Sequence, residues 1–330
     1  MTQRRQFLLQ SAALAGAGLA PLGAFAQQPA GFPSKPIRIV VPFGAGGVAD
    51  LTARAVGQAL SDRVGQSVVI ENKPGAGGVG AGEAVVRSDA DGHTLLLMSN
   101  ATAVSATLFR KLPFDAQKDF APVSLLAVFD LAIVVPANSR WRTFADFLAE
   151  AKANPGKINL GTIAIGSTQN LAAELFKSTA GVDVQVVPFN GTPAVITALR
   201  GGSIDAAVEI LGPVRTQITA GALRPLAIMG EKREPTLADV PTVAEARGPL
   251  TGFNVASWNA LAAPAATPRD RIAYLNRELN AVLTQPALKQ KLAALEVDAR
   301  PSTPEQLGQL LASETKRWGD VITRANIPRQ

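Results

Sequence analysis

Two glycine-rich segments are the features of this sequence with the clearest chemistry. Gly44–Ala49 fits the pattern G-x-G-x-x-A, follows an apolar run and opens a helical pattern, and Gly75–Gly80 fits it a second time after a turn. Glycines let a backbone approach a ligand closely, and the unpaired N–H groups at a helix N-terminus favour an anion. A dinucleotide and a small carboxylate both suit this chemistry, whereas a tight strand-to-helix turn explains the glycines without a ligand.

The position of Asp50 weighs against a nucleotide. This residue lies at the start of the first helix, where a pyrophosphate would sit, and two anions there repel each other. We therefore interpret the first segment as a binding loop for a small carboxylate, in which Asp50 caps its own helix or holds water near the ligand. For the second segment a simple turn is an equally good interpretation. An exported oxidoreductase that binds a dinucleotide through the glycine loops stays open as the alternative.

Three other polar segments follow predicted strands: Ser99–Thr102, Gly166–Asn170 and Asn190–Pro193. Ligands of open α/β sheets bind beyond the carboxyl ends of the strands, so we expect these segments to meet the first glycine loop. They contain no Arg or Lys, so recognition would use backbone N–H groups, hydroxyls, amides and water. Asp205 precedes another strand and is either a ligand acceptor or a turn residue. The candidate ligand-binding residues are Phe43, Gly44, Ala45, Gly46, Gly47, Asp50, Ser99, Asn100, Ala101, Gly166, Ser167, Thr168, Asn170, Asn190, Gly191, Thr192 and Asp205.

The composition excludes most kinds of catalytic site. The chain has no cysteine and one histidine, His93, so thiol catalysis and zinc–thiolate or His-cluster metal sites are excluded. No Walker A loop and no G-x-S-x-G elbow is present. The formal charge of +6 is spread without a basic run, which argues against nucleic-acid binding. We expect a protein that is not an enzyme and holds no cofactor or metal.

The N-terminal residues indicate export. Arg4 and Arg5 precede an uncharged run of small apolar residues, which ends at Ala24-Phe25-Ala26. This order is typical of a cleaved signal peptide, predicted over residues 1–26, and the paired arginines favour the twin-arginine route. A permanent membrane anchor is the weaker interpretation, because the apolar run is too short to span a bilayer. The mature protein is therefore expected in the periplasm.

The rest of the chain alternates strand and helix patterns, as in an α/β fold with a parallel sheet. Two long apolar segments, Val123–Val135 and Phe253–Ala262, bracket the middle unit, and we interpret both as crossings between lobes. The first lobe is then residues 33–130 plus 254–330, and the second lobe is residues 131–253. Such a fold is a two-lobed binding protein with a ligand cleft between two α/β domains. The predicted helices are Leu51–Val64, Glu83–Ser88, Thr143–Ala153, Asn170–Ala180, Pro193–Leu199, Arg269–Leu283, Pro286–Leu295 and Pro304–Asn326.

The sequence also resembles a known family. Residues 36–47 (PIRIVVPFGAGG), residues 69–78 (VIENKPGAGG) and residues 187–191 (VPFNG) are similar to the Bug (TctC-like) solute receptors of tripartite tricarboxylate transporters. The resemblance implies a type II periplasmic binding protein that closes on a small organic acid or amino acid. It also implies a partner, either the permease subunits of such a transporter or a sensor. The family often has Lys at position 190 and His at position 170, where this chain has Asn at both.

Overall fold

The structure is a computed structural model, and it describes residue 29, residues 31–324 and residues 327–330. The predicted signal peptide lies outside the described residues. The strands are β1 (Ile37–Val41), β2 (Val68–Asn72), β3 (Thr94–Met98), β4 (Phe120–Pro136), β5 (Asn159–Ile163), β6 (Gln185–Phe189), β7 (Ala206–Ile210), β8 (Leu223–Ile228), β9 (Ala256–Pro264) and β10 (Asp298–Ala299). The helices are α1 (Val48–Val64), α2 (Val79–Val86), α3 (Asn100–Leu108), α4 (Phe144–Ala153), α5 (Thr168–Ala180), α6 (Thr192–Arg200), α7 (Leu211–Thr219), α8 (Arg269–Leu283), α9 (Pro286–Ala293) and α10 (Pro304–Arg324).

The long strand β4 belongs to both lobes. Its first part, Phe120–Asp130, pairs antiparallel with β9, and from Leu131 onward it pairs antiparallel with β7 and β8. Strand order along the sheet is β2-β1-β3-β9-β4-β7-β5-β6, so one lobe lies around β1–β3 and the other around β5–β7. The predicted two-lobed α/β fold is confirmed.

The direction of the strands corrects one expectation. Strands β1, β2 and β3 are parallel, and so are β5, β6 and β7. Strands β4, β8, β9 and β10 make antiparallel pairs, so the sheet is mixed rather than parallel throughout. The parallel strands of each lobe place their carboxyl ends at one edge of that lobe's sheet, which is the edge that carries the polar segments.

Two helices were not predicted. Helix α3 begins directly after Ser99, in a stretch that the sequence analysis treated as a polar segment at a strand end. Its Thr and Val residues have weak helix propensity, and the helix depends on its Ser cap and on burial of most of its side chains. Helix α7 contains Gly212 and Pro213 in its first turn. The first turn of a helix tolerates proline, but these two residues hide the helical pattern in the sequence.

Each lobe has a buried apolar core on both faces of its sheet. In the second lobe, four aromatic rings pack together: Trp141, Phe144, Phe147 and Phe176, with neighbouring centroids 5.2 to 6.3 Å apart. Phe147 lies at the centre of this group and is fully buried. Among the helices that the structure describes, none combines the length and the apolar character needed to cross a membrane.

Removing the central ring of this aromatic cluster tests its role. We expect Phe147→Ala to lower the free energy of unfolding by about 3–5 kcal/mol, because it opens a cavity among rings that cannot fully collapse. Urea unfolding followed by tryptophan fluorescence measures the change. Val69→Ala, at a side chain that is 51% exposed on β2, is the control and should change the value by less than about 0.5 kcal/mol. Equal losses for the two variants would contradict the assignment of the core.

Candidate functional site

A small cavity lies between the two lobes, at the carboxyl ends of the parallel strands. The volume that the centre of a water molecule can occupy in it is about 20 Å³, so the cavity has room for about one water. The residues that line it are Phe43, Gly44, Gly47, Val48, Ala49, Ser99, Ile163, Thr168, Gln169, Gly191, Thr192, Ile210, Ser257 and Asn259.

Helices α1 and α6 begin at this cavity from opposite lobes. The N-cap residues are Gly47 and Gly191, and neither helix has a side chain that caps its first N–H groups. Both N-caps and the first helical residues, Val48 and Thr192, line the cavity. Two helix N-termini without side-chain caps therefore face the same small volume, and their dipoles favour a negative charge there. Helix α6 offers fewer N–H groups than α1, because Pro193 has none and the Ala194 N–H donates to the Gly191 carbonyl.

Two further helices begin close by, but their ends are capped. The Ser99 hydroxyl accepts a hydrogen bond from the Ala101 N–H at the start of α3. The Ser167 hydroxyl accepts from the Asn170 N–H at the start of α5 and donates to the Ile163 carbonyl. These serines hold the helix ends in place and occupy N–H groups that are then not free for a ligand.

The glycine loop of the first lobe is held by Asp50. The Gly46 N–H donates to Asp50 Oδ2 at 3.0 Å, with Gly46 in the left-handed region at φ +81°, and Arg54 forms an ion pair with the same carboxylate. Burial opposes ionisation of Asp50, but hydrogen bonds from Arg54, Gly46 and Asn72 outweigh it and lower the pKa of Asp50. Asp50 is 2% exposed, so its charge stabilises the loop and does not line the cavity.

The two lobes touch through backbone on both sides of the cavity. A Cβ atom on Gly44 would lie 2.9 Å from the carbonyl oxygen of Asn190, and a Cβ atom on Gly191 would lie 3.7 Å from Gly44 Cα. Only glycine permits this approach, because any side chain at position 44 would meet backbone of the opposite lobe.

The second glycine segment makes a similar contact between lobes. It forms a short 3₁₀ turn, Ala76–Gly78, in which the Gly77 N–H donates to the Ile165 carbonyl at 2.8 Å. A Cβ atom on Gly166 would lie 3.3 Å from Gly77 Cα. This segment does not line the cavity, and it holds the lobes together beside it.

A buried carboxyl group lies directly behind the cavity wall. Glu209 on β7 is 0% exposed, and its Oε2 accepts hydrogen bonds from Thr192 Oγ1, the Ile210 N–H and Gln169 Nε2 at 3.0 to 3.4 Å. All of these partners are uncharged. Burial raises the pKa of Glu209 to about 7, although the three hydrogen bonds favour the ionised form.

Several predicted site residues line the cavity: Phe43, Gly44, Gly47, Ser99, Thr168, Gly191 and Thr192. Others support these residues from behind, namely Gly46, Asp50, Asn100, Ser167 and Asn170. Ala45 is exposed, Ala101 is buried in α3, and Asn190 and Gly166 contact the opposite lobe through backbone or close packing.

The structure does not bring Asp205 to this group. Asp205 is exposed at the amino end of β7, where its Oδ2 accepts from the Asn159 N–H at 2.8 Å. The cavity lies at the carboxyl ends of the parallel strands, so the whole length of β7 separates Asp205 from it.

Three polar residues of the cavity were not predicted: Gln169, Ser257 and Asn259. Gln169 follows Thr168 in the predicted polar segment and could have been included from its position alone. Ser257 and Asn259 lie on β9, whose contact with the site depends on pairing with the distant strands β3 and β4.

The dinucleotide interpretation does not fit this geometry. Asp50 takes up the Gly46 N–H in the first glycine loop, and Gly77 in the second loop donates to the opposite lobe.

In the described part of the chain there is no group of three or more His, Cys, Asp and Glu residues that could hold a metal ion.

Comparison with known proteins identifies the family. Residues 52–327 match the family model described as the tripartite tricarboxylate transporter family receptor. The chain belongs to this family. It is 34% identical to protein BugT of Bordetella pertussis, in a match that covers 88% of this chain and 89% of BugT.

Solved structures of related receptors have the same fold. An R. palustris protein solved with adipate has a TM-score of 0.86 and 31% identity, and the match covers 90% of this chain and 99% of that protein. MatC from Rhodopseudomonas palustris, solved with bound malate, has a TM-score of 0.83 and 32% identity over 88% of this chain and 100% of MatC. The receptor described here is thus a periplasmic solute-binding protein of the Bug type and not an enzyme.

The buried carboxyl group of this receptor predicts a dependence of stability on pH. Because the pKa of Glu209 is about 7 in the folded protein and near 4.5 otherwise, the folded state holds its proton more tightly. Its contribution to stability is therefore present below pH 4.5 and is lost as the pH rises through about 7. Glu209→Gln keeps a neutral group with an oxygen for the three donors. Its stability should therefore exceed that of the wild type by a growing amount as the pH rises from 4.5 to about 7.

Urea unfolding of both proteins at several pH values between 5 and 8 measures this difference. The exposed Glu231 provides the matched control, and Glu231→Gln should follow the wild-type curve. Stability curves for Glu209→Gln and the wild type that run parallel across the range would show that Glu209 does not titrate as described.

Proposed function

We propose that this receptor captures a small carboxylate in the cleft between its lobes and delivers it to a membrane protein. The observation that carries the proposal is the pair of uncapped helix N-termini, α1 from one lobe and α6 from the other, at one cavity. A carboxylate placed there would accept N–H donors from both lobes at once. The adipate and malate complexes of related proteins support a carboxylate ligand.

The same arrangement gives a mechanism for closure. A ligand that contacts both α1 and α6 makes all of its hydrogen bonds only when the lobes are together, so it favours the closed state. In this proposal the moving parts are residues 33–130 with 254–330 on one side and residues 131–253 on the other. The cavity has room for about one water, so the ligand enters when the lobes separate.

Export and partner follow from the same proposal. Residues 1–26 would be removed as a signal peptide of the twin-arginine type, and the mature receptor would reach the periplasm. Its partner would be the permease subunits of a tripartite tricarboxylate-type transporter, or a sensor protein that responds to the closed form. Family membership supports the first of these partners.

A thermal-shift screen tests the ligand class. We expect at least one organic acid or amino acid to raise the melting temperature of the mature protein in a saturable way, because a ligand that binds only the folded state stabilises it. The panel contains mono-, di- and tricarboxylates, amino acids and, as controls, uncharged sugars. Stabilisation by sugars alone, or by nothing in the panel while the protein is folded, would refute the proposal.

Position 44 gives a test of closure that is separate from folding. In Gly44→Ala the new Cβ would lie 2.9 Å from the Asn190 carbonyl in the closed form, whereas Gly44 does not have a left-handed conformation. We expect the affinity for the ligand found above to fall by about tenfold to a hundredfold, the equivalent of about 1–3 kcal/mol of overpacking. The melting temperature without ligand should change little.

Isothermal titration calorimetry measures the affinity of this variant. Gly80→Ala is the matched control, because a Cβ at that position meets nothing within 4 Å, and its affinity should equal that of the wild type. If Gly44→Ala binds the ligand as tightly as the wild type, the contact between Gly44 and Asn190 is not part of the ligand-bound form.

A further inference from the structure

Around the cavity, side-chain amide donors have hydrogen-bond partners, whereas some amide oxygens have none. Asn259 on β9 lines the cavity and is 1% exposed. Its Nδ2 donates to the carbonyl oxygen of Trp258 at 3.1 Å, while its Oδ1 is buried and has no donor. The amide orientation is fixed, because a rotated side chain would place Oδ1 against that carbonyl oxygen.

A second asparagine beside the cavity has the same pattern. Asn100 Nδ2 donates to Thr168 Oγ1 and to the carbonyl oxygen of Ala256, each at 3.2 Å. Its Oδ1 is buried without a donor, and the carbonyl of Ala256 again fixes the orientation of the amide. Two amides from separate elements therefore direct their donors into the protein and leave an oxygen unpartnered.

Glu209 extends this pattern to the second lobe. Gln169 and Thr192 both line the cavity, and both donate a hydrogen bond to Glu209 Oε2. Thr192 has thus used its only donor on the buried carboxyl group, which leaves its hydroxyl oxygen as an acceptor, whereas Gln169 keeps one N–H besides its Oε1. The second carboxyl oxygen, Oε1, is also buried without a partner.

Buried acceptors without donors are rare in native proteins, and a cluster of them beside a cavity indicates a group that supplies donors. The helix N-termini of α1 and α6 supply N–H donors, which a carboxylate group can accept. A plain carboxylate accepts hydrogen bonds there and offers nothing to Asn259. A ligand that satisfies both the helix N-termini and Asn259 Oδ1 carries a donor close to its carboxylate, because all of these groups lie at the same small cavity.

We propose that Asn259 is a specificity-determining residue, whose Oδ1 accepts a hydrogen bond from an O–H or N–H group on the carbon next to the ligand carboxylate. This inference rests on the proposed function and narrows it. The ligand class is a carboxylate with a hydroxyl or ammonium group at its second carbon.

Matched ligand series test the inference on the wild-type mature protein. Calorimetric titration compares succinate, malate and aspartate, then glutarate, 2-hydroxyglutarate and glutamate, and then adipate with its 2-hydroxy and 2-amino forms. For the chain length that binds, we expect the hydroxy or amino acid to bind at least about tenfold more tightly than the unsubstituted acid. Whether the hydroxy acid or the amino acid binds more tightly shows whether the donor is O–H or N–H.

The variant Asn259→Ala assigns the preference to this residue. It should reduce the ratio of affinities towards one while the unsubstituted acid keeps its affinity within about threefold. Asn138→Ala, at an exposed asparagine outside the cleft, is the matched control and should keep the wild-type ratio. Circular dichroism checks the folding of both variants, and the wild-type series decides the question if Asn259→Ala does not fold.

The outcomes separate this inference from the proposed function. If unsubstituted acids bind as tightly as their hydroxy and amino forms, the receptor binds carboxylates but the role of Asn259 is overturned. If Asn259→Ala is folded and keeps the full preference, the acceptor lies elsewhere and the inference is again overturned. If no carboxylate of any kind binds, the proposed function itself fails and this inference fails with it.

Discussion

The site depends on the close approach of two backbones across the cleft. Gly44 meets Asn190 and Gly191, and Gly77 meets Gly166, so each of these close backbone contacts has glycine on at least one side. A Cβ atom at Gly44 or Gly166 would lie within 3.0 Å of an atom of the opposite lobe. Because these positions are bare, the N-termini of α1 and α6 reach one shared volume and can act on one ligand group.

Each lobe uses one buried carboxyl group to hold its part of the site. Asp50 fixes the first glycine loop through Gly46 and has the guanidinium of Arg54 beside it, so it stays ionised. Glu209 joins α5, α6 and β7 through uncharged partners, and burial raises its pKa to about 7. Neither carboxyl group lines the cavity, so both affect it only through the groups that they position.

Local signals in the sequence were sufficient for most of the fold. The apolar run at β1, the glycine loop after it and helix α1 follow directly from residue patterns, and the helix predicted over Thr143–Ala153 is present as Phe144–Ala153, with Thr143 as its cap. Of the two interpretations of Asp205, a ligand acceptor or a turn residue, the structure favours the turn residue, because α/β sheets bind ligands at the carboxyl ends of strands and Asp205 precedes its strand.

The remaining parts of the site depend on contacts between distant segments. Asn259 reaches the cavity because β9 pairs with β3 and β4, which lie far away in the sequence. The role of the second glycine segment appears only when Gly77 is seen to donate to Ile165 of the other lobe. No local pattern distinguishes a glycine that permits a turn from one that permits contact between lobes.

The absence of charged side chains from the cavity wall has a consequence for selectivity. None of the residues that line the cavity in the described part of the chain is charged, so in the proposed mechanism an anion is bound by backbone N–H groups of α1 and α6, which come together only when the lobes close. A lysine or arginine in the cleft would attract any anion, open or closed, because a charge acts over a longer range than a hydrogen bond. In the proposed mechanism, donors shared between lobes instead favour a ligand that fits the closed geometry, so its shape and hydrogen-bond pattern would decide which acid is retained.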